Sequence, residues 1–185
     1  MHRLKLLYWT SLIFLFVCSL GSIYSQTKST SEEQITYFLG ESKMTSPTGQ
    51  PYGSTLSLIK RTVKPEENKI IEQVISINQR EPTKEYIAIF DVRGSKFKMK
   101  EQGGGFTGEG ELIGKAWEWT GWKSTSNLAG GRGKLISEDT LTKDGLLVKK
   151  SFYSPDEQLR VIFSEDLNQI SKEMYDILRS KVLPK

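Results

Sequence analysis

The sequence predicts an all-β protein, mainly antiparallel: a single barrel of about nine or ten strands, with a short helix on its N-terminal side and another at its C-terminus. Three observations lead there. Apolar residues alternate with polar ones at period two from about Gly40 to Ser164, the pattern of strands that bury one face. Turn-forming clusters break the alternation at short intervals: Pro65-Glu66-Glu67-Asn68, Glu81-Pro82, Arg93-Gly94-Ser95, Asp144-Gly145 and Pro155-Asp156. A glycine-dense stretch from Gly103 to Gly133 supplies the bends and bulges needed to curl a sheet on itself.

The chain opens on Met1-His2-Arg3-Leu4-Lys5, a short cationic start, followed by an apolar run from Leu6 to Leu20. Thr10, Ser11, Ser19 and Ser22 interrupt that run, so it reads as a secretory signal over residues 1–25 and not as a spanning helix. Small Ser25 and aliphatic Ile23 suit cleavage after Ser25, which makes residues 26–185 one exported domain. Leu15-Phe16-Val17-Cys18 also resembles the lipobox of bacterial lipoproteins, in the relaxed form of spirochaetes such as leptospires. Leu15 falls where that motif wants it, whereas Val17 stands where a small residue is usual. The two readings of Cys18 are therefore a lipidation site and one more apolar residue of the leader.

Cleavage after Ser25 would remove His2, Cys18, Arg3 and Lys5, leaving 160 residues with 24 basic and 22 acidic side chains and a net charge of +2. A chain without imidazole or thiol has no Ser-His-Asp triad, no Cys-His nucleophile, no His- or Cys-ligated metal and no disulfide. The expectation is a protein with no catalytic residues, no metal and no cofactor. A charge so near balance on an exported chain also points away from nucleic acid.

The elements then follow in order. Thr30-x-x-Glu33 has the form of a capping box for a short helix carrying Ile35, Phe38 and Leu39, stopped by Gly40. Leu56 and Leu58 alternate with Ser57, and Ile71, Ile75 and Ile77 lie opposite Glu72 and Ser76. Tyr86, Ala88, Phe90 and Val92 share a face; Phe97 and Met99 alternate with Lys96, Lys98 and Lys100. Leu159, Val161 and Phe163 mark a late strand. Ser164 has the form of a cap, and Leu167, Ile170, Met174, Ile177 and Leu178 recur at helical spacing, predicting a helix over about 165–182.

A meander of this size led by Gly40 resembles the calycin-like barrels, the lipocalin-like and fatty-acid-binding-like domains among them. The likeness is architectural and covers about residues 31–164. It implies a closed barrel that holds a small apolar ligand. The Gly-x-Trp of that class is not kept: the chain reads Gly40-Glu41-Ser42, and Trp117 or Trp119 would have to close the floor.

Gly103-x-Gly105-x-x-Gly108 has dinucleotide-loop spacing, but Glu111-Leu112-Ile113 reads as strand where a helix is required, so the segment is read as a hairpin. Trp117, Trp119 and Trp122, with Phe106, form the candidate ligand-binding set. On a strand, residues 117 and 119 share a face, which is core packing, the wall of an apolar pocket, or an exposed platform. The pairs Glu109/Glu111 and Glu138/Asp139 read as solvated strand edges. Lys181 and the C-terminal Lys185 are candidate partner-binding residues, since a lysine beside a free carboxylate is what plasminogen's kringle pockets recognise.

Two functions follow as expectations. One is a non-catalytic binding protein of the outer membrane or cell surface, or a secreted one, possessing adhesin character toward host extracellular-matrix proteins such as laminin and fibronectin, or toward plasminogen. Resemblance of the leader to spirochaete envelope proteins implies that reading, with a lipid anchor on Cys18 as the sole membrane attachment. The alternative is a lipocalin-like carrier of a small apolar ligand, in the periplasm or secreted.

Overall fold

The computed structural model describes residues 32–78 and 83–183. Ten strands follow one another in a meander: β1 (Gln34–Thr45), β2 (Pro51–Lys64), β3 (Lys69–Ile77), β4 (Lys84–Arg93), β5 (Lys96–Glu101), β6 (Phe106–Lys115), β7 (Glu118–Leu128), β8 (Lys134–Leu141), β9 (Gly145–Tyr153) and β10 (Leu159–Ile170). Each pairs antiparallel with its neighbour in sequence, and β1 pairs with β10, so the sheet closes. One helix, α1 (Lys172–Val182), follows. Closure leaves none of these ten strands with an open edge.

The turns form where the sequence places them. Pro65 starts a single 3₁₀ turn that ends on Asn68 at φ 53°, a conformation asparagine tolerates better than most residues. Glu81-Pro82, residues 1–25, Cys18 and Lys185 lie outside the described residues. The glycine run from Gly103 ends in a hairpin turn, after which β6 continues as strand.

The first predicted helix is a strand instead. Phe38 points into the barrel and is 2 % exposed, while Leu39 packs on the outer face. Both faces of β1 are therefore apolar, and a strand covered on both sides mimics helical spacing over so short a run. Gly40 is no helix stop. A Cβ there would overlap the carbonyl oxygen of Asp166 on β10, so glycine is needed where the first and last strands meet.

The second helix starts later than predicted. Residues 164–170 continue β10, with Glu165 and Leu167 buried on the inward side, and the helix is capped by Ser171, whose hydroxyl accepts from the Met174 amide at 3.2 Å. Helical spacing placed Leu178 correctly on the packed side but Met174 and Ile177 wrongly. Met174 and Ile177 are exposed, and the underside is Tyr175, Leu178 and Val182.

That underside settles an ambiguity in β2 and β3. Leu58 and Ile75, paired across the two strands, are fully buried outside the barrel, beneath Tyr175. Their partners in alternation, Ser57, Arg61 and Glu72, therefore face inward. Tyr175 packs against Tyr37 at 4.9 Å between ring centroids, and Arg179 reaches Glu85 at 3.2 Å. The Tyr175 hydroxyl is buried with no hydrogen-bond partner among the described residues. Tyr175→Ala is expected to cost about 3 kcal/mol through the cavity it leaves. Tyr175→Phe, which removes only the unpaired hydroxyl, is expected to be neutral or stabilising by about 1 kcal/mol. Urea unfolding of the two variants checks this; equal losses would show that the ring's packing is not what docks α1.

Candidate functional site

The inward positions sort by chemistry along the barrel. At the end carrying the β2–β3, β4–β5, β6–β7 and β8–β9 turns the interior is apolar and packed, with Val92, Phe97, Leu112, Leu146 and Leu167 all buried. Gly110, inward on β6, leaves the room that the Phe97 ring fills. Trp117 and Trp119 lie against this core with ring centroids 4.8 Å apart. Trp117 is not on a strand: it sits in the β6–β7 turn at φ 64°, a costly conformation for a bulky residue. A register shift between Ile113 and Gly114 lets both indoles turn inward despite that turn.

Across the middle of the interior the side chains are charged. Arg61 donates to Glu72 Oε1 from Nε at 2.7 Å and from Nη2 at 2.6 Å. Its guanidinium lies 4.2 Å above the Trp122 ring centroid and 5.3 Å from that of Phe38. Cation–π contact with two rings and a carboxylate on its free edge holds this charge inside. Lys150 donates to Glu165 Oε1 at 2.8 Å, and the Ser42 hydroxyl approaches the same oxygen at 3.4 Å. Serine stands where Gly-x-Trp would have its tryptophan, and it serves this ion pair. Asp139 accepts from the hydroxyl of Ser137, two residues back on the same face of β8.

Burial pushes Asp139 up to about 6, because Lys150 and the Ser137 hydroxyl offset only part of the lost hydration and Glu72 adds repulsion. Lys150 is shifted upward too. Burial works against its charge, but Glu165 foremost, then Tyr86 and Asp139, outweigh that cost. Tyr86, also inward, is raised chiefly by burial and lies within electrostatic reach of Lys150, Glu165, Glu72 and Glu101.

Toward the other end the inward residues are aromatic and incompletely covered: Phe106, Phe152 and Phe163, none of them fully buried. Phe106 meets Tyr86 edge-on, 6.2 Å between centroids. Lys150 itself keeps 25 % of its side-chain surface uncovered, although its neighbours Ser137, Glu165 and Phe163 are all barrel wall. The interior side chains are thus closely covered at one end and less covered at the other. Eight strands are about the number whose interior side chains just fill a barrel, and ten enclose more space.

The four residues singled out from sequence are not one site. Trp117 and Trp119 plug the packed end, Trp122 is buried under Arg61, and Phe106 lies toward the opposite end. Lys181 is exposed on α1. Glu109 and Glu111 are exposed as expected, but Glu138 and Asp139 part company. Glu138 faces out and pairs with Lys123 at 2.8 Å, while Asp139 is inside. The inward charges were legible as interruptions of apolar alternation: Ile59-x-Arg61-x-Val63, Val148-x-Lys150-x-Phe152 and Phe163-x-Glu165-x-Leu167. On the outside, a shallow groove of about 640 Å³ crosses β8, β9, β10 and β1, with both signs of charge around exposed Leu147.

The protein is a closed antiparallel barrel of ten strands followed by a single helix, compatible with the calycin-like class. No protein-family model matches the chain, and no curated protein matches it in sequence.

The shift of Asp139 sets a pH dependence. Between about pH 4 and 6 the folded protein holds this proton and the unfolded chain does not, so stability falls as pH rises through that window. A shift of this size is worth on the order of 3 kcal/mol in all. Asp139→Asn removes the titration and is expected to stabilise the barrel at about pH 8 while changing little at about pH 4. Denaturant midpoints at both values check it, and parallel pH profiles for the two proteins would refute it.

Proposed function

We propose that this is an exported, non-catalytic binding protein that carries a small, largely apolar ligand inside the barrel, held between Phe106, Phe152 and Phe163 with its polar end toward Lys150, Tyr86 and Asp139. The observation that supports this best is the uncovered surface on walled-in side chains. Lys150 is surrounded by barrel strands, yet a quarter of its side chain is free of contact, and the aromatic residues beyond it are only partly covered. A core built only for stability closes such space, because each void forfeits packing contacts. Apolar walls with a few convergent polar groups are the ordinary make-up of a small-molecule site. Export rests on the leader sequence, and the carrier reading suits a secreted or periplasmic protein.

Adhesion to laminin, fibronectin or plasminogen is the second reading, and it rests on the leader's resemblance, on Lys181 and on Lys185. The outer groove, with its mixed charge and one exposed leucine, supports it less well than the interior supports a carrier.

The experiment is a titration with the uncharged fluorophore N-phenylnaphthylamine, followed by energy transfer from the tryptophans. Saturable one-to-one binding is expected. Leu135→Trp places an indole at a half-covered inward position beside Phe152 and is expected to weaken that binding at least about tenfold with an unchanged far-ultraviolet spectrum. Binding that ignores Leu135→Trp would place the fluorophore elsewhere and remove the carrier reading. Saturable binding of a matrix protein that is equally indifferent to it would favour adhesion.

A further inference from the structure

We infer that the barrel interior selects a ligand with an ammonium head over one with a carboxylate head, and that Asp139 is the group that receives it. This deepens the carrier reading and rests on it. Among the described residues, two enclosed cations, Arg61 and Lys150, share the interior with three carboxylates, Glu72, Glu165 and Asp139. Each cation is already committed. Arg61 gives two donors to one oxygen of Glu72, and Lys150 is bonded to Glu165 at 2.8 Å. Asp139 is left as the odd charge. Among the described residues its hydrogen bond comes from a neutral hydroxyl, that of Ser137, and no cation lies within ion-pair distance of it.

Two further groups stand at the ends of inward faces, one of each sign. Glu101 shares the inward face of β5 with Phe97 and Met99 and adds to the same sign. Lys84, at the start of β4, has a partner of its own. An incoming carboxylate would bring another negative charge among these groups, and it could reach Lys150 or Arg61 only by competing with a short ion pair already made in poorly hydrated surroundings. An ammonium group meets the opposite situation. It compensates Asp139 and leaves both existing pairs intact, and the inward-facing rings of Tyr86, Phe106, Phe152 and Phe163 belong to the residue type that attracts cations. The strong burial that makes the Asp139 charge costly is relieved by such a ligand and aggravated by an anionic one.

The test compares three ligands of one chain length, dodecylamine, dodecanol and dodecanoate, as competitors of N-phenylnaphthylamine on the purified full-length protein near neutral pH and below their micellar concentrations. Dodecylamine is expected to displace the fluorophore at a concentration at least about tenfold lower than dodecanoate, with dodecanol between them. In Asp139→Asn, which keeps the side chain's shape, the advantage of the amine over both dodecanol and dodecanoate is expected to shrink about tenfold. Dodecanoate competing as well as dodecylamine, or an amine preference that survives Asp139→Asn, overturns the charge selection and leaves the carrier reading standing. If none of the three displaces the fluorophore and the fluorophore ignores Leu135→Trp, the carrier reading itself falls, and this inference with it.

Discussion

Nine consecutive residue pairs, from Tyr37–Ile170 to Thr45–Ile162, join the first strand to the last, and that seam is what makes the sheet a container. Without it β1 and β10 would each present a row of unpaired amides and carbonyls, and the inward charges would face water. The seam depends on a backbone approach so close that Gly40 has no room for a side chain against Asp166. It also requires both strands to be long. This is why Gln34–Thr45 and Leu159–Ile170 remain extended where local pattern favours helix at one end of each. Backbone hydrogen bonds that would otherwise be lost outweigh a weak local preference.

Closure gives the enclosed charges their character. A salt bridge on a strand surface is worth little, and those of this protein at Lys123–Glu138 or Lys172–Asp176 are of that kind. Arg61–Glu72 and Lys150–Glu165 are different, because the wall that encloses them removes much of the competing water, less completely at Lys150 than at Arg61. Their arrangement is economical in polar partners. Trp122 and Phe38 cover the guanidinium, Ser42 adds a hydroxyl to Glu165, and Ser137 serves Asp139. Asp139, an enclosed carboxylate with no cation within ion-pair distance among the described residues, leaves the interior unbalanced, and imbalance of that sort is more often seen where something binds than where a core is merely held together.

The helix has a quieter role with a large consequence. By lying on β1, β2 and β3 it gives these strands two apolar faces. The apolar residues Leu58 and Ile75 belong to the outer face, under Tyr175, and the barrel interior receives Ser57, Arg61 and Glu72 beside Ile59, Ile70 and Val74. On β4 and β5, which present Phe90, Val92, Phe97 and Met99 inward, the usual relation holds and the most apolar face is the inner one.

Period-two alternation, turn residues and glycine bends were enough to establish an antiparallel meander of about ten strands, because each follows from local backbone geometry and needs no knowledge of what lies across the molecule. Those same local rules separate the two faces of a strand but do not say which face is inside. That was decided by α1 over β1–β3 and by the β1–β10 seam, contacts between residues more than a hundred positions apart. Only the closed barrel brings Arg61, Glu72, Asp139, Lys150 and Glu165 from five strands into one poorly hydrated space, and the loss of water there turns ordinary surface residue types into a candidate site.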